Sequence, residues 1–377
     1  MAASLAPVRD YSLVGPEAAR AEALGFGNAV WYSPALPRKR LKALMKRSDG
    51  PAARDTALWI GLLMVSGAGG IALWGSWACV PFFAVYGVLY GSASDSRWHE
   101  SGHGTAFRTP WMNVVLHHVA SFMILREPTV WRWSHTRHHT DTTIVGRDPE
   151  IAVPRPPSLW NLIANVFALR SGAGAIRKML LHAAGRMDAQ EIAYVPEHEW
   201  RGIFRTARVW LGIYGSVGLL CIASGSVLPA MLVGFPSFYG GGMTIFFGLT
   251  QHAGLAEDVT DHRLNTRTVY MNPVFRFLYW NMNYHLEHHL YPTVPYHALP
   301  ELHEAIKDEC PAPYPSTVAA YREILPAVQR QRRDPSYHVV RELPASATAA
   351  AAGGTTSSGD LPDRGIEPGA DASRAAA

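Results

Sequence analysis

Two long stretches of the chain contain no Asp, Glu, Lys or Arg. One covers residues 56–94 and the other covers residues 209–256. A helix needs about 20 apolar residues to cross a bilayer, so each stretch is long enough for two helices joined by a turn. The pattern predicts an all-α integral membrane domain with four transmembrane helices in two hairpins, over residues 57–75 and 78–95 and then over residues 209–225 and 228–250.

Buried core helices of a soluble protein are the alternative interpretation of these stretches. Hydrophobic residues make up 48% of the chain, and both uncharged runs are longer than a core helix requires, which favours the membrane. The residues before Ala57 are largely polar, so no cleavable signal peptide is expected.

The rest of the chain divides around this membrane domain. Three apolar segments are too short to cross a bilayer and are predicted as helices at the membrane interface or over a site, at residues 111–125, 158–169 and 269–282. The predicted regions are a basic N-terminal segment at 1–55, a membrane domain at 56–310, a C-terminal segment at 311–345 and a disordered tail at 346–377.

Positive charge is concentrated before the first hairpin, whereas the predicted outer turns have none. The basic residues are Arg38, Lys39, Arg40, Lys42, Lys46 and Arg47. By the positive-inside rule the N-terminus is cytoplasmic, and two hairpins return the chain to the same side. We therefore expect a multi-pass protein, as in a bacterial inner membrane, with both termini cytoplasmic. The net charge of +4 and the scattered remaining basic residues do not indicate nucleic-acid binding.

Three short motifs concentrate histidine after the predicted hairpins. They are His99-Glu-Ser-Gly-His103, His135-Thr-Arg-His138-His139 and His285-Leu-Glu-His288-His289. On a helix, residues three and four apart lie on one face, so each motif directs its imidazoles towards one spot. A solvated helix face could explain one such motif but not three. Eight imidazoles exceed what one ion binds, so the motifs predict two metal ions.

A zinc metalloprotease is a remote alternative. His99, Glu100 and His103 satisfy its H-E-x-x-H pattern, with Glu100 as the general base. Such a site needs one further ligand and leaves both H-x-x-H-H motifs unexplained. A metal transporter or sensor would need a polar path through the two apolar stretches at 56–94 and 209–256, which contain no charged residue.

The three motifs, in this order and interleaved with two apolar hairpins, resemble the histidine boxes of the membrane fatty acid desaturase superfamily, which includes hydroxylases and carotenoid ketolases. The resemblance covers residues 56–310. It implies a di-iron site in a cytoplasmic helical cap, and a ninth histidine near the end of the fourth helix, where His252 lies. The implied ligands are His99, His103, His135, His138, His139, His252, His285, His288 and His289.

The resemblance also implies an oxidoreductase that acts with dioxygen and two electrons on an unactivated C–H bond. Removal of hydrogen from two adjacent carbons gives a double bond, whereas oxygen insertion gives an alcohol. A fatty acyl-like chain is the default substrate. A carotenoid, or a small amino-acid-derived metabolite as in the dihydrorhizobitoxine desaturases, is the alternative.

A separate electron donor is expected, either ferredoxin-like or a cytochrome, with its reductase. The chain has no G-x-G-x-x-G fingerprint, no cysteine set for an iron–sulfur cluster and no fused His-Pro-Gly-Gly haem segment. Basic residues near the second motif are either a docking surface for an acidic carrier or ordinary cytoplasmic charges: Arg132, Arg137 and Arg147.

Side chains outside the motifs receive simpler interpretations. Four carboxylates are candidates to orient the ring nitrogens: Asp141, Asp148, Glu150 and Glu287. The remaining histidines lack this spacing and are expected at the surface or the interface: His117, His118, His182, His198, His262, His297, His303 and His338. The cysteines lack C-x-x-C spacing and are expected to be packing residues: Cys79, Cys221 and Cys310. Pro292 is expected to end the helix of the third motif.

Overall fold

The computed structural model describes residues 9–344, and within that range the secondary structure is helical apart from two isolated β-bridges. The predicted all-α class is confirmed. The tail predicted at 346–377 lies outside the described residues. The α-helices are α1 Pro16–Ala23, α2 Arg38–Leu44, α3 Asp49–Ala72, α4 Cys79–Gly87, α5 Ala93–Gly102, α6 Pro110–Met123, α7 Pro128–Thr140, α8 Leu159–Asn165, α9 Leu169–Ala183, α10 Ala189–Ile192, α11 Trp200–Ser224, α12 Leu228–Leu232, α13 Pro236–Tyr239, α14 Gly242–His252, α15 His262–Asn265, α16 Pro273–Tyr279, α17 His285–Leu290, α18 Leu299–Ile306 and α19 Thr317–Gln331.

The first hairpin forms as two long antiparallel elements. Helix α3 begins at Asp49, before the predicted start at residue 57. The chain then turns at Gly75, whose φ of 89° favours glycine. Helices α4 and α5 are joined by a π-helical turn over Val88–Ser92. The helical path therefore continues beyond the predicted end at residue 95 and carries the first histidine motif directly out of the hairpin.

The second hairpin differs from the prediction. Helix α11 is long, but the predicted helix at 228–250 is divided into α12, α13 and α14. The first break falls at Gly234, with a φ of 102°, and Pro236 begins the next helix. Gly240 packs so closely on α4 that a β-carbon would lie 1.8 Å from the Gly87 carbonyl oxygen. The close backbone contact between Gly240 and Gly87 accompanies the division of the predicted helix into three short ones.

Two helical segments are long and apolar enough to cross a membrane among the described residues. They are Arg38–Ala72 and Glu197–Ser224. The short apolar helices α6, α8 and α16 form at the three predicted segments, although α6 begins one residue earlier, at Pro110. They leave large side chains exposed, including Trp111, Trp160 and Val274. Exposed apolar surface of this kind is suited to contact with lipid.

A buried arginine joins the first hairpin to the helices around the third motif. The Arg97 guanidinium donates hydrogen bonds to the carbonyl groups of Ala93 and Leu278. It also lies about 5 Å from the ring centroids of Trp59 and Trp280. Hydrogen bonds from Nη1 and Nη2 and cation–π contacts compensate part of the cost of burying this charge, although Nε has no hydrogen-bond partner among the described residues. These contacts hold α3, α5 and α16 in a fixed relation.

The N-terminal segment at 9–36 packs against loops near the third motif. Trp31 stacks on His262 with ring centroids 4.4 Å apart and an interplanar angle of 17°. Arg9 lies 2.6 Å from an Asp258 carboxylate oxygen. The sequence predicted only a basic cytoplasmic segment here, because contacts this distant along the chain leave no periodic pattern.

Candidate metal centre

Nine buried or half-buried histidines converge in two groups, and they are the nine that the sequence analysis named. Within each group the candidate ligand atoms lie within 4.8 Å of one another. The five-His cluster contains His99, His103, His135, His139 and His288. The four-His cluster contains His138, His252, His285 and His289.

The helices explain why neighbouring histidines enter different clusters. The first motif lies at the end of α5, the second on α7 and the third on α17. Adjacent residues on a helix point about 100° apart. His138 and His139 therefore face different clusters, as do His288 and His289. The doublet at the end of each H-x-x-H-H motif thus places two clusters side by side.

The ring nitrogens approach one another closely. In the five-His cluster, the Nε2 of His99 lies 2.8 Å from that of His288 and 3.1 Å from that of His135. In the four-His cluster, the Nε2 of His285 lies 3.1 Å from those of His252 and His289. In each of these pairs, Nε2 is the nitrogen that faces the neighbouring ring.

Hydrogen bonding on the other side of two rings indicates that their Nε2 atoms carry lone pairs. The His135 Nδ1 lies 2.8 Å from a Glu150 carboxylate oxygen, and the His138 Nδ1 lies 2.9 Å from Asp148. The carboxylate accepts, so each neutral ring carries its proton on Nδ1. Facing lone pairs repel unless a cation lies between them. Nitrogens bound to one ion at about 2.1 Å and at a right angle lie about 3 Å apart, so the donor set fits a metal ion.

Burial keeps most of these imidazoles in the neutral form that binds metal. His138 differs, because burial lowers its pKa but the adjacent Asp148 carboxylate outweighs burial and raises it. Burial lowers the pKa of His103 to about 4. Burial, reinforced by the neighbouring imidazoles, holds the pKa of His99 and of His135 well below the usual value. Few protons therefore compete with a metal ion at neutral pH.

Two of the four predicted orienting carboxylates contact histidine-motif rings. The prediction is confirmed for Asp148 and Glu150. It is wrong for Asp141, which pairs with Arg147 and Arg137. It is also wrong for Glu287, which contacts His303 and not a motif histidine. Asp148 and Glu150 lie on the loop after α7, and this loop returns to the rings of the second motif.

Glu287 supports a different histidine. Its Oε1 lies 2.6 Å from the His303 Nδ1, and its Oε2 accepts a hydrogen bond from the Thr268 hydroxyl. The glutamate lies on the same short helix as three candidate ligands, with its side chain fully buried. This pairing fixes α17 against α18, so Glu287 acts on the site by holding its helix in place.

Comparison with known proteins agrees with this geometry. Residues 75–321 match the sequence model of the family described as fatty acid desaturase. The match covers more than half of the chain. The chain belongs to the fatty acid desaturase family. The resemblance drawn from the three motifs is confirmed.

A similar protein is the omega-3 fatty acid desaturase of the endoplasmic reticulum from Nicotiana tabacum. It is 23% identical to this desaturase family member over 252 residues. The alignment covers 62% of this chain and 66% of the tobacco protein, so the chain spans just under two thirds of that relative's length.

In this member of the desaturase family, the Glu100 carboxylate, which a metalloprotease would use as its general base, makes hydrogen bonds to other groups. The Glu100 Oε1 accepts hydrogen bonds from the Thr105 hydroxyl at 2.6 Å and from the Tyr296 backbone N–H at 3.0 Å. A metalloprotease instead needs this glutamate beside the metal-bound water. The arrangement gives the protease alternative no support.

A cavity of about 600 Å³ extends to both the five-His cluster and the four-His cluster. It contacts His99 and His135 in one cluster and His138, His252 and His285 in the other. Apolar wall residues include Val130, Met179, Trp210, Ile245 and Leu249. An organic molecule in this cavity would therefore lie beside both groups of ring nitrogens.

Several histidines predicted at the surface are buried instead. His117 is fully buried, with Nδ1 3.0 Å from the Trp98 carbonyl oxygen and Nε2 3.1 Å from the Pro128 carbonyl oxygen. Asn113, His117 and Ser121 repeat every four residues along α6 and are all buried, a polar stripe that could have signalled this role. The surface prediction is also wrong for His182, His262 and His303, which are buried.

The cysteine and proline predictions agree with the structure. Cys79, Cys221 and Cys310 are free, and the first and last of these are buried. Helix α17 ends at Leu290, two residues before Pro292.

Proposed function

We propose that this protein is a membrane-bound, oxygen-dependent di-iron oxidoreductase that introduces a double bond into an aliphatic substrate. The observation that carries the proposal is the pair of histidine clusters beside one cavity in a member of the fatty acid desaturase family. The tobacco relative is an omega-3 fatty acid desaturase, which supports a fatty acyl-like chain as the first substrate to test.

In this proposal each cluster holds one iron ion. Asp148 and Glu150 keep the His138 and His135 rings in the tautomer that presents Nε2. Bound iron would supply, with dioxygen, the oxidising power to remove hydrogen from an unactivated C–H bond. Overall, the substrate loses two hydrogens, and dioxygen is reduced to two waters by two electrons from the substrate and two from an external donor.

We also propose that these external electrons come from a ferredoxin-like or cytochrome donor with its reductase. Of the three basic residues near the second motif, Arg132 is exposed. Arg137 and Arg147 are paired with Asp141. Docking would therefore depend on a wider surface than these three residues, and Arg132→Glu should slow electron transfer only in part.

The same proposal assigns four membrane crossings and cytoplasmic termini. It is supported by two helical segments long enough to span and by the basic residues around α2. A topology reporter fused after Val339 should report the cytoplasm, and one inserted after Gly225 should report the opposite side. If both lie on one side, the second hairpin does not cross and return, and the proposed topology is wrong.

The reaction itself is tested by expression in a host with a compatible electron donor. Lipids and polar metabolites are then compared by mass spectrometry between cells with the wild-type chain and cells with His288→Ala. A product that has lost two hydrogens supports desaturation. A product that has gained oxygen would replace this proposal with the hydroxylase or ketolase alternative.

A further inference from the structure

The cavity beside the clusters has an unusually acidic wall for a site that would hold only a hydrocarbon chain. Six carboxylate side chains line it: Asp95, Glu127, Asp148, Glu150, Glu191 and Glu257. Only three lysine or arginine side chains line it: Arg126, Lys178 and Arg155. Sites for apolar ligands usually contain few polar groups, each with a defined role.

Four of these carboxylates have partners that account for them. Asp148 and Glu150 bind the motif histidines. Glu191 lies 2.7 Å from the His182 Nε2 and 2.9 Å from the Lys178 Nζ. Glu257 pairs with Arg155 and Arg9. These four carboxylates therefore bond to protein side chains and have few acceptor positions left for a ligand.

Asp95 and Glu127 each have one carboxylate oxygen that accepts no hydrogen bond from the described part of the chain. Among the described residues, the Asp95 Oδ1 and the Glu127 Oε1 are buried without a hydrogen-bond partner. The same Asp95 Oδ1 lies 3.5 Å from the Arg126 Nη1, an ion pair too long for a well-formed hydrogen bond, and the Arg126 side chain is 47% exposed. The other Glu127 oxygen caps α7 by accepting from the Val130 N–H. A buried acceptor without a donor is unfavourable, so such atoms in a cavity wall are suited to bind a ligand's donor.

Both carboxylates lie beside the helices that carry the first two motifs, and the side chain of Arg126, the neighbour of Glu127 in the sequence, reaches Asp95. Asp95 precedes His99 by one turn of α5, about 5.4 Å along the axis. Glu127 is the residue immediately before α7. Trp98 of α5 contacts Trp131 of α7, with ring centroids 3.8 Å apart. A group bound here would fix a substrate at a set position relative to the five-His cluster.

We propose that Asp95 and Glu127 recognise a hydrogen-bond donor on the substrate, a hydroxyl or ammonium group close to the carbons that are oxidised. The inference rests on the proposed function and narrows its aliphatic substrate to a polar one. An unsubstituted acyl chain offers no donor to these two oxygens. Burial raises the pKa of Glu127 to about 7, so an ammonium donor would favour its ionised form and a ligand carboxylate would disfavour it.

The test measures binding by the purified, metal-loaded full-length chain in detergent, so it does not depend on turnover. Butylammonium, 1-butanol and butyrate are titrated separately, with saturation-transfer NMR to detect weak binding. We expect saturable binding of butylammonium or 1-butanol and weaker binding of butyrate. Preference for butylammonium assigns an ammonium donor, and preference for 1-butanol assigns a hydroxyl donor.

The variants Asp95→Asn and Glu127→Gln should each weaken binding of the preferred probe by about tenfold, or ~1.4 kcal/mol. Glu304→Gln, which makes the same change of charge outside the cavity lining, should leave it unchanged. Equal or tighter binding of butyrate by the wild type overturns the inference, as does unchanged binding in both cavity variants. If Asp95→Asn fails to fold, Glu127→Gln and the wild-type comparison still decide. Failure of the proposed function would instead appear as missing iron or missing turnover in wild-type protein.

Discussion

The two histidine clusters are built from different kinds of sequence information. Every member of the five-His cluster belongs to a motif with helical spacing, on α5, α7 or α17. The four-His cluster also needs His252, which stands alone at the end of α14 after the interrupted part of the second hairpin. One cluster is thus set by local helix geometry, and the other also depends on how the second hairpin folds.

The clusters also differ in the number of positions that they leave open. An ion that prefers six ligands would keep one free position among five imidazoles and two among four. His138, His252 and His285 of the four-His cluster contact the cavity, compared with His99 and His135 of the five-His cluster. The two proposed irons are therefore inequivalent, and the four-His cluster offers more room for an external ligand.

Loss of a ligand should have the largest effect. His288→Ala in the five-His cluster and His138→Ala in the four-His cluster should each reduce product formation to background, because no neighbouring side chain can replace the missing nitrogen. Each variant should retain about one iron per chain, measured by elemental analysis. Retention of two irons in either variant would mean that the substituted histidine is not a ligand.

Loss of an orienting carboxylate should have an intermediate effect. Glu150→Gln and Asp148→Asn should lower iron affinity or activity by about 10–100-fold, since the His135 and His138 rings lose the groups that fix their tautomers. Competition with a chelator measures the affinity. Asp141→Asn is the control, because Asp141 pairs with arginines. An equal loss in the control would indicate a general effect of charge.

Helical spacing explains why eight of the nine converging histidines were directly readable from the sequence. Residues three or four apart share a face regardless of the rest of the fold. The sequence of the second hairpin also indicated helix breaks, because Gly234, Pro236 and the Gly240-Gly241 pair interrupt an apolar run. Hydropathy over a long window averages across such breaks, and it therefore predicted one helix.

Long-range contacts were not predictable in the same way. Trp31 reaches His262 across more than two hundred residues, and His117 joins the first two motifs through backbone carbonyl groups. Neither contact follows from periodicity. The assignment of Asp148 and Glu150, rather than Asp141, depended on the path of the loop after α7.

His117 should matter for stability although it faces neither cluster. His117→Ala removes two buried contacts and should destabilise the protein by about 1–3 kcal/mol, whereas His118→Ala at an exposed position should change stability by less than about 0.5 kcal/mol. Thermal unfolding in detergent compares them. Equal melting temperatures would show that the carbonyl contacts contribute little.

The smallest expected effect concerns the N-terminal segment and should fall on one cluster. Trp31 stacks on His262, whose ring centroid lies 5.0 Å from that of His289 in the four-His cluster. Trp31→Ala should therefore accelerate removal of one iron by a chelator a few-fold and leave the other nearly unchanged. Tyr337→Ala, in an aromatic contact with Arg330, is the control. Equally faster iron removal from both clusters would contradict the prediction that Trp31 affects only the four-His cluster.

The central claim is that the nine histidines form two metal sites, and the most direct test is the iron content of the full chain purified in mild detergent. We expect about two irons per chain, because nine converging imidazoles exceed the coordination capacity of one ion. One zinc per chain and no iron, after expression with both metals available, would contradict it.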